Sequence, residues 1–379
     1  MAKKSKKQHD SQSKSEILLN QPLTLRGVTL RNRTILPPMC MYSVTAQDGR
    51  PNNFHYEHYM ARANGGFGMI ILEATAVAPN GRISPCDLGL WSDDQIDSYR
   101  WIVEDMKKAG AVPAIQLNHA GRKASTGCAE LNVPYHAHVP EELGGWEDIV
   151  GPSPIAYGDL PVPRELTVEE IHAIEQQFRD AAWRTATAGF EAIEIHAAHG
   201  YLLNQFLDPL INHRTDEYGG SFENRARMLM ETVDLVRGVI PETMPVLVRI
   251  SATDWAKHGW NITDSVRLSR ELKRHGVDMI DVSTGGVVPV SSDSMPVGPG
   301  YQVPFSTEVH KNADIPTTAV GLITKAKQAE KILAKNKATT IEIGRRALAE
   351  PSWPILALSK LGVPKEELPI PVQYQRGIY

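Results

Sequence analysis

His196, His199 and Tyr201 stand within one short run, His196-Ala-Ala-His199-Gly-Tyr201, that ends an apolar strand-like segment, Ala192–His196. Two imidazoles and a phenol at a strand end can be aimed at one point. The imidazoles can hold an electron-rich carbonyl oxygen, and the phenol can give or take a proton. The His-x-x-His spacing also suits two metal ligands. No carboxylate or cysteine close in sequence completes such a site, although distant residues can converge, and the expectation is no metal. Cys40 is the other reactive group. It reads either as a nucleophile or as a small packing thiol.

The elements that must position these groups alternate. Short β-rich runs occur at Thr34–Leu36, Gly68–Leu72, Val112–Leu117, Ala192–His196, Val246–Ile250, Met279–Val282, Thr317–Val320 and Thr340–Ile343. Most are continuous apolar runs, as parallel strands covered on both faces should be. Longer helical patterns separate them: Asp93–Ala109 after Ser92, Val168–Ala188 after a Thr167/Glu170 capping box, Glu223–Val239, Asp264–His275, Lys325–Leu333 and Pro351–Leu361. Eight strands with intervening helices predict a (β/α)8 TIM barrel of the α/β class. Ahead of the first strand, Leu23 and Leu25 face Val28 and Leu30 across Arg26-Gly27, a β-hairpin placed to plug the barrel bottom. The stretch from Gly121 to Glu165 is rich in Pro and Gly and lacks periodicity. Following strand three, it should lie over the active-site face as a lid or substrate loop.

Working residues in such barrels lie at the C-terminal strand ends. There the sequence offers Pro38-Met39-Cys40-Met41-Tyr42, Glu73-Ala74, Gln116, the His196 run, Arg249, Ser283, Gly321 and Gly344-Arg345. Gly321 and Gly344 expose backbone N–H groups at turns, a helix should start just after each, and Arg345 can pair with phosphate oxygens. Strands seven and eight therefore predict a phosphate site.

The chain has 379 residues, 42% hydrophobic and 22% charged, with a net charge of −4. It has no global basic field for nucleic acid. The lysines at 3, 4, 6 and 7 belong to a polar stretch expected to be a disordered tail over 1–16, with a single barrel domain over 17–379. No apolar run reaches the roughly 18 residues of a membrane span. The expected compartment is the cytoplasm. The three cysteines, Cys40, Cys86 and Cys128, form no C-x-x-C, so a disulfide framework, structural zinc and a four-cysteine iron–sulfur cluster are not expected.

The His196–Tyr201 run continues into Phe206-Leu-Asp-Pro-Leu, Asn212-His-Arg-Thr-Asp-Glu-Tyr-Gly-Gly-Ser221 and Glu223-Asn-Arg225. This resembles the signature of the old yellow enzyme family of flavin-dependent ene-reductases. Pro38-Met-Cys40-Met-Tyr42-Ser43, Gln116–Lys123 and Gln373-Tyr-Gln-Arg376-Gly377 resemble its thermophilic-like class. The resemblance spans about Leu19 to Tyr379. It implies FMN, with NADPH or NADH as reductant. By position, Pro38, Met39, Cys40, Ala74 and Gln116 would line the flavin ring, Arg249 would face its N1–C2 edge, and Ser283, Gly321, Gly344 and Arg345 would hold the phosphate. His196 and His199 would bind the carbonyl of an α,β-unsaturated substrate such as an enone or quinone. Tyr201 would deliver the proton, Tyr42 would touch the substrate, and Cys40 would tune the flavin rather than bond to it. Arg376 would reach a neighbouring site in a homodimer or homotetramer. Reductases of dienoyl-CoA thioesters and amine dehydrogenases share the barrel but carry an iron–sulfur cysteine cluster. A lyase or isomerase using a phosphorylated substrate would be colourless, and a flavin-storage protein would not oxidise NAD(P)H.

Overall fold

A computed structural model describes residues 16–289 and 295–377. The expected tail over 1–16 lies almost wholly outside them. Eight parallel strands form the barrel: β1 (Thr34–Leu36), β2 (Met69–Ala76), β3 (Val112–Asn118), β4 (Ala192–Ala197), β5 (Val246–Ser251), β6 (Met279–Ser283), β7 (Thr317–Ala319) and β8 (Thr340–Glu342). Each pairs with the next, and β8 returns to β1 with Glu342 opposite Ile35, closing the ring. The eight predicted strands are all present.

Alternation along each strand separates two cores. Outward residues such as Ile193, Ile195, Val248, Ile250 and Val282 pack under the helices. Inward residues near the strand starts, among them Ile71, Ala114, Ala192, Leu247 and Met279, pack with Leu25 and Leu30 of the hairpin. The hairpin, with Leu23 opposite Leu30 and Leu25 opposite Val28, therefore closes the N-terminal mouth as predicted. Burying each leucine there contributes about 1.5–3 kcal/mol. Its turn is anchored by the Gly27 N–H on Thr243 O at 3.0 Å. A Cβ on Gly27 would lie 2.6 Å from Thr243 Cβ, so no larger residue fits.

The surrounding helices are α1 (Asn53–Asn64), α2 (Ile96–Lys108), α3 (Val168–Ala188), α4 (Phe222–Arg237), α5 (Ile262–Arg274), α6 (Val303–Ala313), α7 (Ala326–Ala334) and α8 (Trp353–Leu361). In α3 the capping box forms as expected. Glu170 N–H donates to Thr167 Oγ1 at 3.2 Å and Thr167 N–H to Glu170 Oε2 at 2.8 Å. Gly189, at φ +96°, stops that helix. α1 and α6 lie outside the helical patterns read from the sequence. The buried face of α1 is His55, His58, Tyr59, Arg62 and Ala63, a mostly polar set that apolar periodicity does not detect.

Two irregular features shape the upper, C-terminal mouth. The register of β2 shifts between Leu72 and Ala74. Such a bulge re-aims side chains. Glu73 turns to the Tyr59 hydroxyl of α1, at 2.7 Å, while Ala74 packs in the mouth. The long segment after β3 carries a two-residue parallel pair, Val150–Gly151 with Arg164–Glu165, and contributes Ile149 and Trp146 to the apolar cluster of the mouth. Arg122 clips it down: its guanidinium donates to Ile155 O at 3.0 Å, Ala156 O at 3.1 Å and Val287 O. Two cysteines far apart in sequence, Cys86 and Cys128, meet there as buried thiols with sulfurs 3.0 Å apart.

Candidate functional site

β4 ends by turning both imidazoles and the phenol toward one another. The His196 and His199 rings lie 5.1 Å apart at 89°, and the His196 and Tyr201 rings 5.0 Å apart at 75°. Backbone conformation makes this possible: His199 sits at φ +58° and Gly200 at +75°. A left-handed histidine carries strain that the surroundings must hold. Here Ser251 Oγ accepts the His199 N–H at 2.9 Å, and the Lys123 ammonium donates to His199 O at 2.8 Å.

The local bonds constrain which ring nitrogens donate. The Ala198 N–H donates to His196 Nδ1 at 3.3 Å, so the proton of a neutral His196 is on Nε2. Ser283 Oγ donates to Gln302 Oε1 at 3.3 Å and lies 2.7 Å from His199 Nε2. A Ser283 hydroxyl that turns from Gln302 to donate to the ring leaves His199 with Nδ1–H as its free donor. Burial first, then the charges of Arg249 and Lys123, pushes both histidines well below the ordinary imidazole range. They are neutral donors at pH 7.

Tyr201 packs with Cys40, Tyr42, Ala74, Ala120 and Trp146. Burial, with the acidic groups Cys40 and Asp87 adding to it, pushes its hydroxyl well above the usual phenol range. The phenol keeps its proton at neutral pH, and its oxygen has no hydrogen-bond partner among the described residues. The Lys123 Nζ stands 5.1 Å from the centre of the Tyr201 ring. Burial and Arg122 lower that ammonium to about 8. The sequence reading gave Lys123 no role of its own. The Tyr42 ring lies 5.6 Å from that of Tyr135 in the long segment, tilted by 47°, so the segment reaches over this mouth. Burial raises the Cys40 thiol well above its normal value, helped by Asp87 and Glu73, so it is a thiol rather than a thiolate.

A cavity opens beside the histidines, between the ends of β1, β7 and β8. Pro38, Met39, Arg249, Gly321, Gly344 and Arg345 all line it. Cys40, Ala74, Gln116 and Ser283, also assigned to the cofactor from the sequence, lie off that wall. Cys40 and Ala74 belong to the Tyr201 cluster, Gln116 bonds Glu194, and Ser283 bonds His199. Arg376 is exposed on the C-terminal turn Val372–Gly377 and lines no part of this cavity. The helix after Gly344, Arg345–Ala349, is short, so its dipole contributes little. The side chain of Arg345 and the turn amides are the stronger anion-binding groups. Arg346 pairs with Glu350 at 2.9 Å, while Arg345 has no ion-pair partner among the described residues.

FMN suits these residues. Gly321, at φ +109°, would bring a Cβ to 3.1 Å from the Tyr301 ring, so the turn needs glycine and leaves its amides open to a phosphate. Pro38 and Met39 offer an apolar wall for a flat ring. Arg249, buried at the cavity floor, offers a fixed cation for an electron-rich edge.

Below the cavity lies a polar layer absent from the sequence reading. Glu194, Arg249, Asp281 and Glu342 all point into the barrel, and Arg249 Nε lies 2.7 Å from Asp281 Oδ2 and its Nη2 3.7 Å from Glu342 Oε2. The signal was present as single charges inside apolar strands: Ala-Ile-Glu194-Ile, Val-Arg249-Ile, Ile-Asp281-Val and Ile-Glu342-Ile.

Neutral donors at the strand ends beside a cavity suited to FMN define a flavin-class oxidoreductase barrel. The NADH:flavin oxidoreductase / NADH oxidase family matches residues 18–362, and the chain belongs to that family. FMN and a reduced nicotinamide nucleotide are accordingly its cofactors. A protein named NADPH dehydrogenase from Geobacillus thermodenitrificans (strain NG80-2) is 46% identical over 361 residues, 95% of this chain and 98% of the relative. Another of that name from Bacillus subtilis (strain 168) is 44% identical over 357 residues, 94% and 98% of the two chains. Among solved structures, an old yellow enzyme homologue from Zymomonas mobilis superposes with TM-score 0.74 at 26% identity, covering 90% of this chain and 92% of that one. Morphinone reductase in complex with tetrahydroNAD does so with TM-score 0.73 at 28% identity, covering 94% and 93%. No helix among the described residues is long and apolar enough to cross a membrane.

Proposed function

We propose that this chain is an FMN-dependent NADPH oxidoreductase that reduces the activated C=C bond of α,β-unsaturated carbonyl compounds, with ping-pong kinetics. The observation that carries the reading is the grouping of two neutral imidazoles and a protonated phenol beside a cavity suited to FMN. The curated relatives named NADPH dehydrogenase favour NADPH as the reductant.

When bound and reduced, FMN supplies a hydride for the β-carbon of the substrate. His196 Nε2–H and the free N–H of His199 hold the carbonyl oxygen. Negative charge grows on that oxygen during transfer, so these bonds strengthen in the transition state more than in the ground state. Neutrality suits them to this task, because an imidazolium would protonate the oxygen rather than polarise it. Tyr201 gives its proton to the α-carbon. Tyr42, Trp146 and the long segment exclude water from the mouth.

An anaerobic absorbance experiment on the purified protein tests the proposal. Visible flavin bands should bleach with NADPH and return when cyclohexenone is added. Bleaching with no return on addition of cyclohexenone, nitroalkene or maleimide would refute the alkene as the oxidising substrate. A colourless protein that FMN cannot reconstitute would refute the reading entirely.

A further inference from the structure

The barrel interior beneath the cavity holds three carboxyl groups and one guanidinium, each 0–7% exposed: Glu194 on β4, Asp281 on β6, Glu342 on β8 and Arg249 on β5. Among the described residues, nothing else there balances the charge. β3 contributes the neutral Gln116, whose Nε2 donates to Glu194 Oε1 at 2.7 Å, and β7 contributes Thr318. His196, the next inward residue along β4, is neutral, and Cys40 is a thiol. Glu194 Oε2 and both oxygens of Asp281 and of Glu342 lack a hydrogen-bond donor. Three ionised carboxylates around one cation would leave two unpaired charges out of reach of water, at a cost of several kcal/mol each. The layer must therefore bind protons. Asp281, against Arg249 at 2.7 Å, is the ion-pair partner. Glu342 is farther from the guanidinium, at 3.7 Å, and is the one carboxyl of the three that lines the cofactor cavity.

Building on the FMN reading, we propose that Glu342 is a positioning residue held as a neutral carboxylic acid at the cavity floor, sharing its proton with Asp281. With Glu194, which burial raises to about 8, also protonated at pH 7, Arg249 then has one anionic partner instead of three, and its remaining field faces the cofactor. Burial and the neighbouring Asp281 both push Glu342 well above the ordinary carboxyl range, in keeping with this state. An ionised Glu342 would place a negative charge where electrons arrive and would oppose reduction of the cofactor.

Infrared difference spectroscopy of the FMN-loaded protein, recorded at pH 7 on reduction, reads this directly. The expected result is a carbonyl band of a protonated carboxylic acid that shifts on reduction, disappears in Glu342→Gln and persists in Glu194→Gln. The midpoint potential of Glu342→Gln should match the unsubstituted protein at pH 7, because the amide mimics the neutral acid. Absence of the band, its survival in Glu342→Gln, or its loss in Glu194→Gln instead would overturn the proposal. So would a potential raised by the Gln substitution at pH 7, the sign of a removed negative charge. If Glu342→Gln fails to fold, Glu342→Asp should shift the band by altering the acid that carries it, and an unshifted band there would overturn the proposal. A protein that binds no FMN would fail at the earlier step, by its lack of colour, and so be distinguished from failure of this inference.

Discussion

At the scale of single residues, the chemistry divides between groups made neutral and one group kept charged. Burial among positive neighbours strips His196 and His199 of any tendency to protonate, whereas surrounding carboxyl groups keep the buried Arg249 charged. Tyr201 differs from all of them in having an oxygen free of partners among the described residues. Replacing Tyr201 by Phe therefore removes a proton donor and little else. Alkene reduction should slow by about 100-fold or more, the usual contribution of a placed general acid. The reaction of the bound flavin with NADPH should continue near its normal rate, since that step needs no proton from the phenol. Rapid-mixing kinetics separates the two halves. Equal impairment of both would mean that Tyr201 shapes the site rather than donates.

Among elements, the strands were legible because most are near-continuous apolar runs, and the hairpin because its leucines alternate around Arg26-Gly27. The histidine run was legible from residue type alone. What escaped was polar structure in apolar settings. α1 turns histidines, a tyrosine and an arginine inward, and its pattern lacks an apolar stripe. The carboxylates of β4, β6 and β8 are one residue each in runs that otherwise read as core. The resemblance assigns Ser283 to a phosphate, and the structure sets its hydroxyl 2.7 Å from His199 Nε2, a contact with no sequence signal. The long segment was marked by its length and composition, yet what holds it is Arg122, a residue with no local signal. Arg122→Ala leaves three backbone carbonyls without their charged donor, and bonds of that kind contribute about 1.5–3 kcal/mol each when lost. The urea midpoint should fall, and hydrogen exchange should quicken across 125–165 and around Val287 before it does elsewhere. Because the segment walls the substrate mouth while β4 carries the histidines, KM for the alkene should rise more than kcat falls. Uniformly faster exchange over the whole barrel would show that Arg122 supports the core and not the cover.

Across the whole molecule, buried carboxyl groups set the response to pH. Burial raises Glu73 to about 7, Asp87, Glu175 and Glu194 to about 8, and Asp254 to about 10. In the unfolded chain such groups release their protons near pH 4, roughly 3.9 for Asp and 4.3 for Glu. Above that pH the native protein holds protons that the unfolded chain has already lost, so each rise in pH favours unfolding until the native values are passed. Buried histidines act in the opposite direction but in another window. Burial lowers His55 and His119 to about 4 and His58 to about 3. Their stabilisation is present above the unfolded imidazole value of roughly 6.5 and is lost only as pH falls below it. Between pH 6.5 and 8 the carboxyls therefore dominate, and the protein should lose stability as the solution becomes more alkaline. Thermal midpoints of the FMN-saturated protein at pH 6.5, 7.3 and 8, at constant ionic strength, should decrease in that order. A midpoint that climbs over the interval would mean that these carboxyls are already ionised in the folded state, and would remove the basis for protons stored beneath the cofactor cavity.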